Sequence, residues 1–455
     1  MSVKTSVAIA ACKATYKVMR AMGRTARALP GKVALKFDRN LIRELSAGHK
    51  TIVITGTNGK TTTTHMIQQA IINEFGGAAY DPSSTNMAQG IATTLCLDST
   101  VGGKRSSDWA VIESDEGGAK QILPAMLPQV LVVTNLYRDQ VDRYPTWTTA
   151  RDYIIEAIKS SPDTVLVLDA DCQVTASIAD AVPNKVVWFG MECDPYDEGI
   201  ADYDEKVACI KCGGPLGYMH RTFAHLGDYS CPVCGNARPE LDVAVTGVGA
   251  KQEKSCEITV RVHGEELTLP VNIRAGYDVY NAAAALAGLV TLGLSVEQAA
   301  NALGHFTHAA HRFEIFDIDG APMRLLLMKN TAGANQLVNM IASEGELPRN
   351  YVFMLGNEIM DGIYTDWIEG VRFEKLIGPE TRAIVGGPCH EDMRARLLAA
   401  GLPDERMRVQ TDYAALVREI AEAGEPITVI ANCSTIEALR LELVKKYEPT
   451  DYWAE

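Results

Sequence analysis

The segment TIVITGTNGKTTTTHMIQQAI, residues 51–71, leaves this chain little freedom in how it can fold. Its apolar stretch Ile52–Thr55 has the length and β-branched content of a buried strand. Gly56 and Gly59 then allow a tight turn whose N–H groups face an anion, and a helix is expected to start near Thr61. In that order, strand, glycine turn and helix make an anion cradle, because unpaired amides and the helix dipole converge on one point. Gly56, Thr57, Asn58, Gly59, Lys60, Thr61 and Thr62 are therefore candidates to hold a nucleoside triphosphate. Lys60 would reach its β- and γ-phosphates, and Thr61 would offer a hydroxyl to Mg²⁺. The spacing, G-x-x-G-K-T, is two residues tighter than the usual G-x-x-x-x-G-K-[ST].

Two further strands are expected beside this one. WAVIESDEGG ends in Glu113, Asp115 and Glu116, and the run before Thr134-Asn135 is followed by Asp139 and Asp142. A carboxylate at the carboxyl edge of a neighbouring parallel strand stands where Mg²⁺ needs a ligand or a water-holder, and Glu113 is the choice. Asp115 and Asp142 are expected to be ordinary solvated carboxylates.

Four of the eleven cysteines fall in two C-x-x-C-G turns, Cys209/Cys212 and Cys231/Cys234, with 18 residues between the pairs. Two such knuckles complete a tetrahedral Cys₄ zinc site with no open position, so the metal is expected to stabilise without doing chemistry. A zinc ribbon could serve nucleic acid, but this one carries only Arg221 and Arg238 between its knuckles and Pro239. Its Tyr218, Phe223, His225 and Tyr229 are expected to pack a small core around the metal. The net charge of −14 also argues against nucleic acid, which draws on clustered cations.

That charge is unevenly spread. Residues 1–50 hold eleven Lys or Arg against Asp38 and Glu44, a net of +9, which leaves −23 for the rest. The expected role is a solvated layer packed on its own domain; the alternative is contact with an anionic membrane surface. No run of 18 apolar residues suggests a membrane span, and Lys13, Lys17 and Arg20 interrupt what could have been a signal peptide. The expected compartment is the cytoplasm, where the basic segment could meet the inner face of the membrane.

These residues together resemble a family. TGTNGKTTT, the strand ending at Glu113 and TNLYRDQVDRY look like the central domain of the Mur ligases and folylpolyglutamate synthases, which use ATP to convert a carboxylate to an acyl phosphate that an amine attacks. GYDVYNAAAALAGLVTLGLS resembles that family's asparagine-led helix, implying Asn281 near the nucleotide, and HRFE resembles a turn whose arginine, here Arg312, contacts it. Gln140 stands where many members carry a second-metal histidine, and His311 replaces the glycine before Arg312. The inserted ribbon, ALPGKVALKFD and LLMKNTAGANQ narrow the resemblance to the MurT-type branch, although Thr331 sits where a proline is usual.

The fold implied is α/β: a basic segment over 1–50 packed on a central ATP-binding domain over 51–312, a zinc ribbon inserted at 205–240, and a Rossmann-like α/β domain over 313–455. Strands are expected at MRLLLMK, YVFMLG, RAIVGG and ITVIAN, with helices over 334–344 and 412–423. The activity implied is amidation of the D-glutamate α-carboxylate of the lipid II stem peptide, with ammonia from a separate GatD-like glutaminase. The chain shows no nucleophile elbow of its own; GGPCHED at Cys389 lacks the second glycine. MurT-type C-terminal domains supply an aspartate that orients the partner's histidine. In GNEIMDGIYTDWIEGVRFE the resemblance implies Asp361, with Glu358 and Asp366 as alternatives; a turn-capping role is the competing reading for an Asp-Gly pair. A free-standing Mur-type or folylpolyglutamate-type amino-acid ligase is the runner-up, and a zinc-ribbon ATPase acting on nucleic acid the third.

Overall fold

The computed structural model describes residues 2–24, 26–81, 86–137, 146–194, 207–250, 255–272, 275–306, 313–358 and 360–450. Arg312, His311, Gln140, Asp139 and Asp142 lie outside the described residues. The chain divides into two compact units, one within Met1–Tyr137 and Thr146–Thr307, the other from 308 onward.

The first unit opens with helices α1 (Val3–Ala21), α2 (Leu29–Phe37) and α3 (Leu41–Ser46). Then come β1 (Lys50–Thr55), α4 (Lys60–Phe75), α5 (Ala88–Asp98), β2 (Trp109–Glu113), α6 (Ala119–Met126), β3 (Val130–Val133), α7 (Trp147–Ile158), β4 (Val165–Asp169), α8 (Gln173–Ala176) and β5 (Val186–Met191). A two-stranded ribbon, β6 (Gly217–Phe223) and β7 (Leu226–Ser230), precedes β8 (Val243–Val248), β9 (Ser255–Val262), β10 (Glu265–Asn272), α9 (Gly276–Thr291) and α10 (Val296–Gly304).

The sheet order is β10-β9-β8-β5-β4-β3-β1-β2. Strands β2, β1, β3, β4, β5 and β8 run parallel, and β9 and β10 extend the sheet antiparallel. Parallel strands need both faces covered, which is why β1, β2 and β3 read as apolar runs rather than alternating ones. The chain leaves β1 for β2 on one side and returns to β3 on the other, so the carboxyl end of β1 is a topological switch point, where open α/β sheets bind ligands. Helix α9 is almost wholly buried, and its alanines let it lie close against α4 and strands β3, β4, β5 and β8.

In the second unit, β11 (Phe313–Ile318), β12 (Ala321–Leu327), α11 (Thr331–Ala342), β13 (Asn350–Met354), β14 (Arg382–Gly386), α12 (His390–Ala399), β15 (Met407–Val409), α13 (Tyr413–Ala423), β16 (Ile427–Ala431), α14 (Cys433–Leu443) and β17 (Pro449–Thr450) form another α/β layer. Its sheet order is β15-β14-β13-β16-β12-β11-β17, with β15 through β12 parallel. Met323, Leu325, Val352 and Val429 of the strands meet Leu416, Ile420 and Leu439 of the helices in one core. Asp412, expected within a helix, instead caps α13, its Oδ1 accepting from the Ala415 N–H at 2.6 Å. Among the described residues no helix is long and apolar enough to cross a membrane.

Candidate active site and four-cysteine ribbon

The loop between β1 and α4 is held from the next strand. Asn135, just beyond β3, accepts from the Thr57 N–H through its carbonyl at 2.8 Å and from the Asn58 N–H through Oδ1 at 2.9 Å. Thr134 Oγ1 donates to the Asn58 carbonyl at 2.7 Å. The turn needs both glycines. Gly56 has φ +124°, and a Cβ there would meet Thr134 Oγ1 at 2.4 Å; Gly59 has φ +82°, and a Cβ would meet Asn281 Oδ1 at 2.0 Å. The second clash also places Asn281: the first turns of α9 set its amide directly on the loop, where it accepts from Thr63 Oγ1 at 3.5 Å.

Lys60 opens α4 and folds back over the loop. It donates to the Gly56 and Thr57 carbonyls and lies 3.5 Å from Glu116 Oε1, with both side chains buried. Thr61 Oγ1 donates to Glu113 Oε1 at 3.1 Å, while the buried Glu113 Oε2 has no hydrogen-bond partner among the described residues. A hydroxyl and a half-satisfied carboxylate facing each other at the carboxyl edge of a sheet suit Mg²⁺, a hard cation taking oxygen ligands. Asp115 is buried rather than solvated, and its Oδ2 accepts from the Gly118 N–H at 3.3 Å where α6 begins. Of the residues chosen from sequence, Gly56 through Thr62, Glu113 and Asn281 are thus brought together. The anchoring role of Thr134-Asn135 was missed, although its position at a strand end could have suggested it.

The four ribbon thiols converge as their spacing implies. Cys209 and Cys234 Sγ are 3.7 Å apart, Cys212 and Cys231 Sγ 3.5 Å, and all four lie within 4.8 Å of one another. A tetrahedral zinc with bonds of about 2.3 Å has sulfur–sulfur edges of about 3.8 Å, so the donor set fits. The knuckles are alike: Gly213 donates to the Cys209 carbonyl at 2.8 Å, and Gly235 to the Cys231 carbonyl at 2.9 Å.

Two of the ribbon's four residues expected around the metal are placed differently. Phe223 and His225 pack on Tyr137, and Phe223 meets Tyr280 edge-on, so they dock the ribbon on the nucleotide-binding unit. Beneath them is a polar network that the sequence did not advertise. Asp171, fully buried, accepts from Tyr280 Oη at 2.6 Å, Arg238 Nη1 at 3.0 Å and the Met191 N–H at 2.9 Å. Tyr280 Oη also meets Thr222 Oγ1 at 2.5 Å, and His225 Nε2 lies 3.3 Å from Cys172 Sγ.

Asp169 sits beside this network with no cation paired to it among the described residues, and its buried Oδ2 has no partner among them. Burial, helped by neighbouring Asp171 and Cys172, pushes its carboxyl well above the usual range. Burial raises Asp171 too, but Tyr280, Arg238 and the Met191 N–H oppose the rise. A raised carboxyl keeps its proton in the native state after the unfolded chain has lost it, so stability falls as pH rises. Asp169→Asn is accordingly expected to melt higher than the unmodified chain at about pH 8, with the gap closing towards about pH 4. Thermal melts across that range test it; a pH-independent gap would remove the ionisation argument.

In the second unit, Asp361 is buried, and its Oδ1 accepts from the Ser434 N–H at 3.1 Å, in the first turn of α14. Its Oδ2 is buried without a partner among the described residues. Asn432 ties the ends of β13 and β16 by exchanging two hydrogen bonds with Gly356, at 3.0 and 2.7 Å. Glu358 and Asp366 are exposed, as are Met360, Ile363 and Tyr364 beside them. Asn330 caps α11 by accepting from the Gly333 N–H at 2.9 Å, with Lys329 next to it.

A switch-point phosphate loop, an acidic neighbour strand and a second α/β unit define an ATP-dependent ligase of the Mur class. The Mur ligase middle domain family matches residues 54–211, and the MurT ligase C-terminal family matches 327–436. MurF from Acinetobacter baumannii superposes with a TM-score of 0.64 over 91% of this chain and 81% of that one, at 15% identity, a likeness of fold alone. The MurT subunit of the glutamine-hydrolysing lipid II isoglutaminyl synthase of Streptococcus pneumoniae is 31% identical over 92% of both chains. That of Staphylococcus aureus (strain COL) is 28% identical over 97% of this chain and 98% of its own. The chain belongs to the MurT family.

Proposed function

We propose that this chain is the ATP-using subunit of a lipid II isoglutaminyl synthase. It would activate the D-glutamate α-carboxylate of the stem peptide for amidation by ammonia from a GatD-like glutaminase partner. The single observation that carries the reading is the joint presence, in a MurT-family chain, of the Lys60/Thr61/Glu113 cluster and the four-thiol ribbon.

Gly56 through Thr62 would bind the triphosphate of ATP, with Asn281 against the loop and Arg312 as a further nucleotide contact. Thr61 and Glu113 would hold Mg²⁺, which supplies charge neutralisation at the phosphates. Lys60 would leave Glu116 for the γ-phosphoryl group and stabilise the charge spreading over it. A substrate carboxylate oxygen forms the new bond to phosphorus as the bond to ADP breaks. Ammonia then attacks the acyl carbon and phosphate departs, leaving the carboxamide. The Cys209/Cys212/Cys231/Cys234 set would hold structural zinc.

Asp361 is the proposed acid that orients the partner's catalytic histidine, with Glu358 and Asp366 as alternatives. One of its oxygens is fixed by α14, and the other, buried and with no partner among the described residues, would take the histidine's N–H once docking of the partner uncovers it. The exposed Met360, Ile363 and Tyr364 would form part of the partner's seat. The test uses the chain with its co-expressed glutaminase, lipid II, ATP, Mg²⁺ and either glutamine or ammonium. The expected product is a stem peptide lighter by about one dalton. Asp361→Asn should lose the glutamine-driven reaction by about 10²-fold or more and keep the ammonium-driven one. A gain equal to an amino-acid residue would instead establish a free-standing ligase. Equal loss with both nitrogen sources would return Asp361 to its capping role.

A further inference from the structure

We infer that the outer face of α1 is a membrane-docking surface that seats this unit on anionic phospholipid. The inference deepens the proposal of a lipid-linked substrate, and rests on it for the reason a ligase would need such a surface.

At 100° per residue, Val3, Val7, Ala10, Ala14, Val18 and Ala21 share one face of α1. All six are exposed, Val3 to 82% and Val18 to 58%. The opposite face, Thr5, Ala8, Ile9 and Cys12, is the one that packs inward. An amphipathic surface helix carries polar residues where this helix carries an apolar stripe. Lys4 borders the stripe on one side, and Lys13, Lys17 and Arg20 border it on the other; Arg24 follows directly. This is the composition of a helix lying in an interfacial plane, apolar along its centre and cationic along its edges.

The charge points to lipid rather than to protein. Only Asp38 and Glu44 are acidic in the first 50 residues, and both are drawn to the Thr5 hydroxyl, on the packed side of α1. The charged residues of α1 that border the exposed stripe are therefore all cations, in a chain whose residues beyond 50 sum to −23. A second copy pairing through the same face would set cations against cations. An anionic leaflet supplies the opposite charge and an apolar layer at once.

The test measures co-sedimentation of the full chain with vesicles of phosphatidylcholine alone or with about 30% phosphatidylglycerol. Binding is expected only to the anionic vesicles and should weaken with salt. Two independent variants, V7E/V18E and K13Q/K17Q/R20Q/R24Q, should each reduce partitioning about tenfold or more. Their substitutions avoid the packed face, and unchanged ATP hydrolysis on a soluble stem peptide would show that both retain the ligase fold. Equal binding to both vesicle types, or variants that bind like the parent, would overturn the inference. So would a concentration-dependent dimer, abolished by V7E/V18E, in a chain that binds no vesicle. Vesicle binding needs no turnover, so this failure is distinct from failure of the proposed ligase reaction.

Discussion

Lys60→Met is expected to lower ATP-dependent turnover by about 10³-fold, because it removes a cation set to follow charge onto the transferring phosphoryl group. It should also lower stability, for a separate reason. Lys60 is only 8% exposed and lies 3.5 Å from Glu116, which is 5% exposed. Breaking a buried pair from one side costs about 3–5 kcal/mol, since the remaining charge loses the cation beside it. The two effects part in the double variant K60M/E116Q. Neutralising Glu116 should return most of the melting temperature while turnover stays low. Calorimetry and ADP release on the same preparations decide it. If turnover recovers with stability, Lys60 holds the loop together and does no more.

That experiment depends on a contact the sequence could only half reveal. The β1–α4 loop was legible because its chemistry is local: two glycines, a lysine and a threonine within one turn can hardly do anything else. Glu113 was legible too, since parallel strands align their carboxyl ends and the acid ends the adjacent strand. The pairing of Lys60 with Glu116 and the grip of Asn135 on the loop were not, because both join residues separated by whole βα units. The convergence of the four ribbon thiols could be read from spacing alone. The aromatic residues between them could not, because Phe223 and His225 pack on Tyr137, a residue some 90 positions upstream. Sequence pattern records what each segment must bury but not the partner it buries against. Asp171 and Arg238 show this most sharply: an ion pair between a buried carboxylate and a half-buried arginine closes over 67 residues, with no local signature at either end.

The same network carries the second large effect. Cys231→Ser is expected to abolish stoichiometric zinc, because a structural Cys₄ site draws its affinity from all four thiolates, and apparent zinc binding energies of about 10–16 kcal/mol make it part of the folding energy. The loss should travel beyond the ribbon. Thr222 and Arg238 hold Tyr280 and Asp171 from the ribbon side, and Tyr280 is followed in α9 by Asn281, whose amide abuts Gly59 of the phosphate loop. A slackened ribbon therefore frees the first turns of α9 and with them the wall of the nucleotide cradle. KM for ATP should rise about threefold to tenfold, the range over which packed networks couple sites, with a smaller change in kcat. Thr222→Val separates coupling from collapse, since it cuts only the hydroxyl contact with Tyr280. It should keep full zinc by elemental analysis and still raise KM for ATP, though less. If Cys231→Ser loses its zinc and binds ATP as before, the ribbon is an independent module and the Tyr280 contact is packing alone.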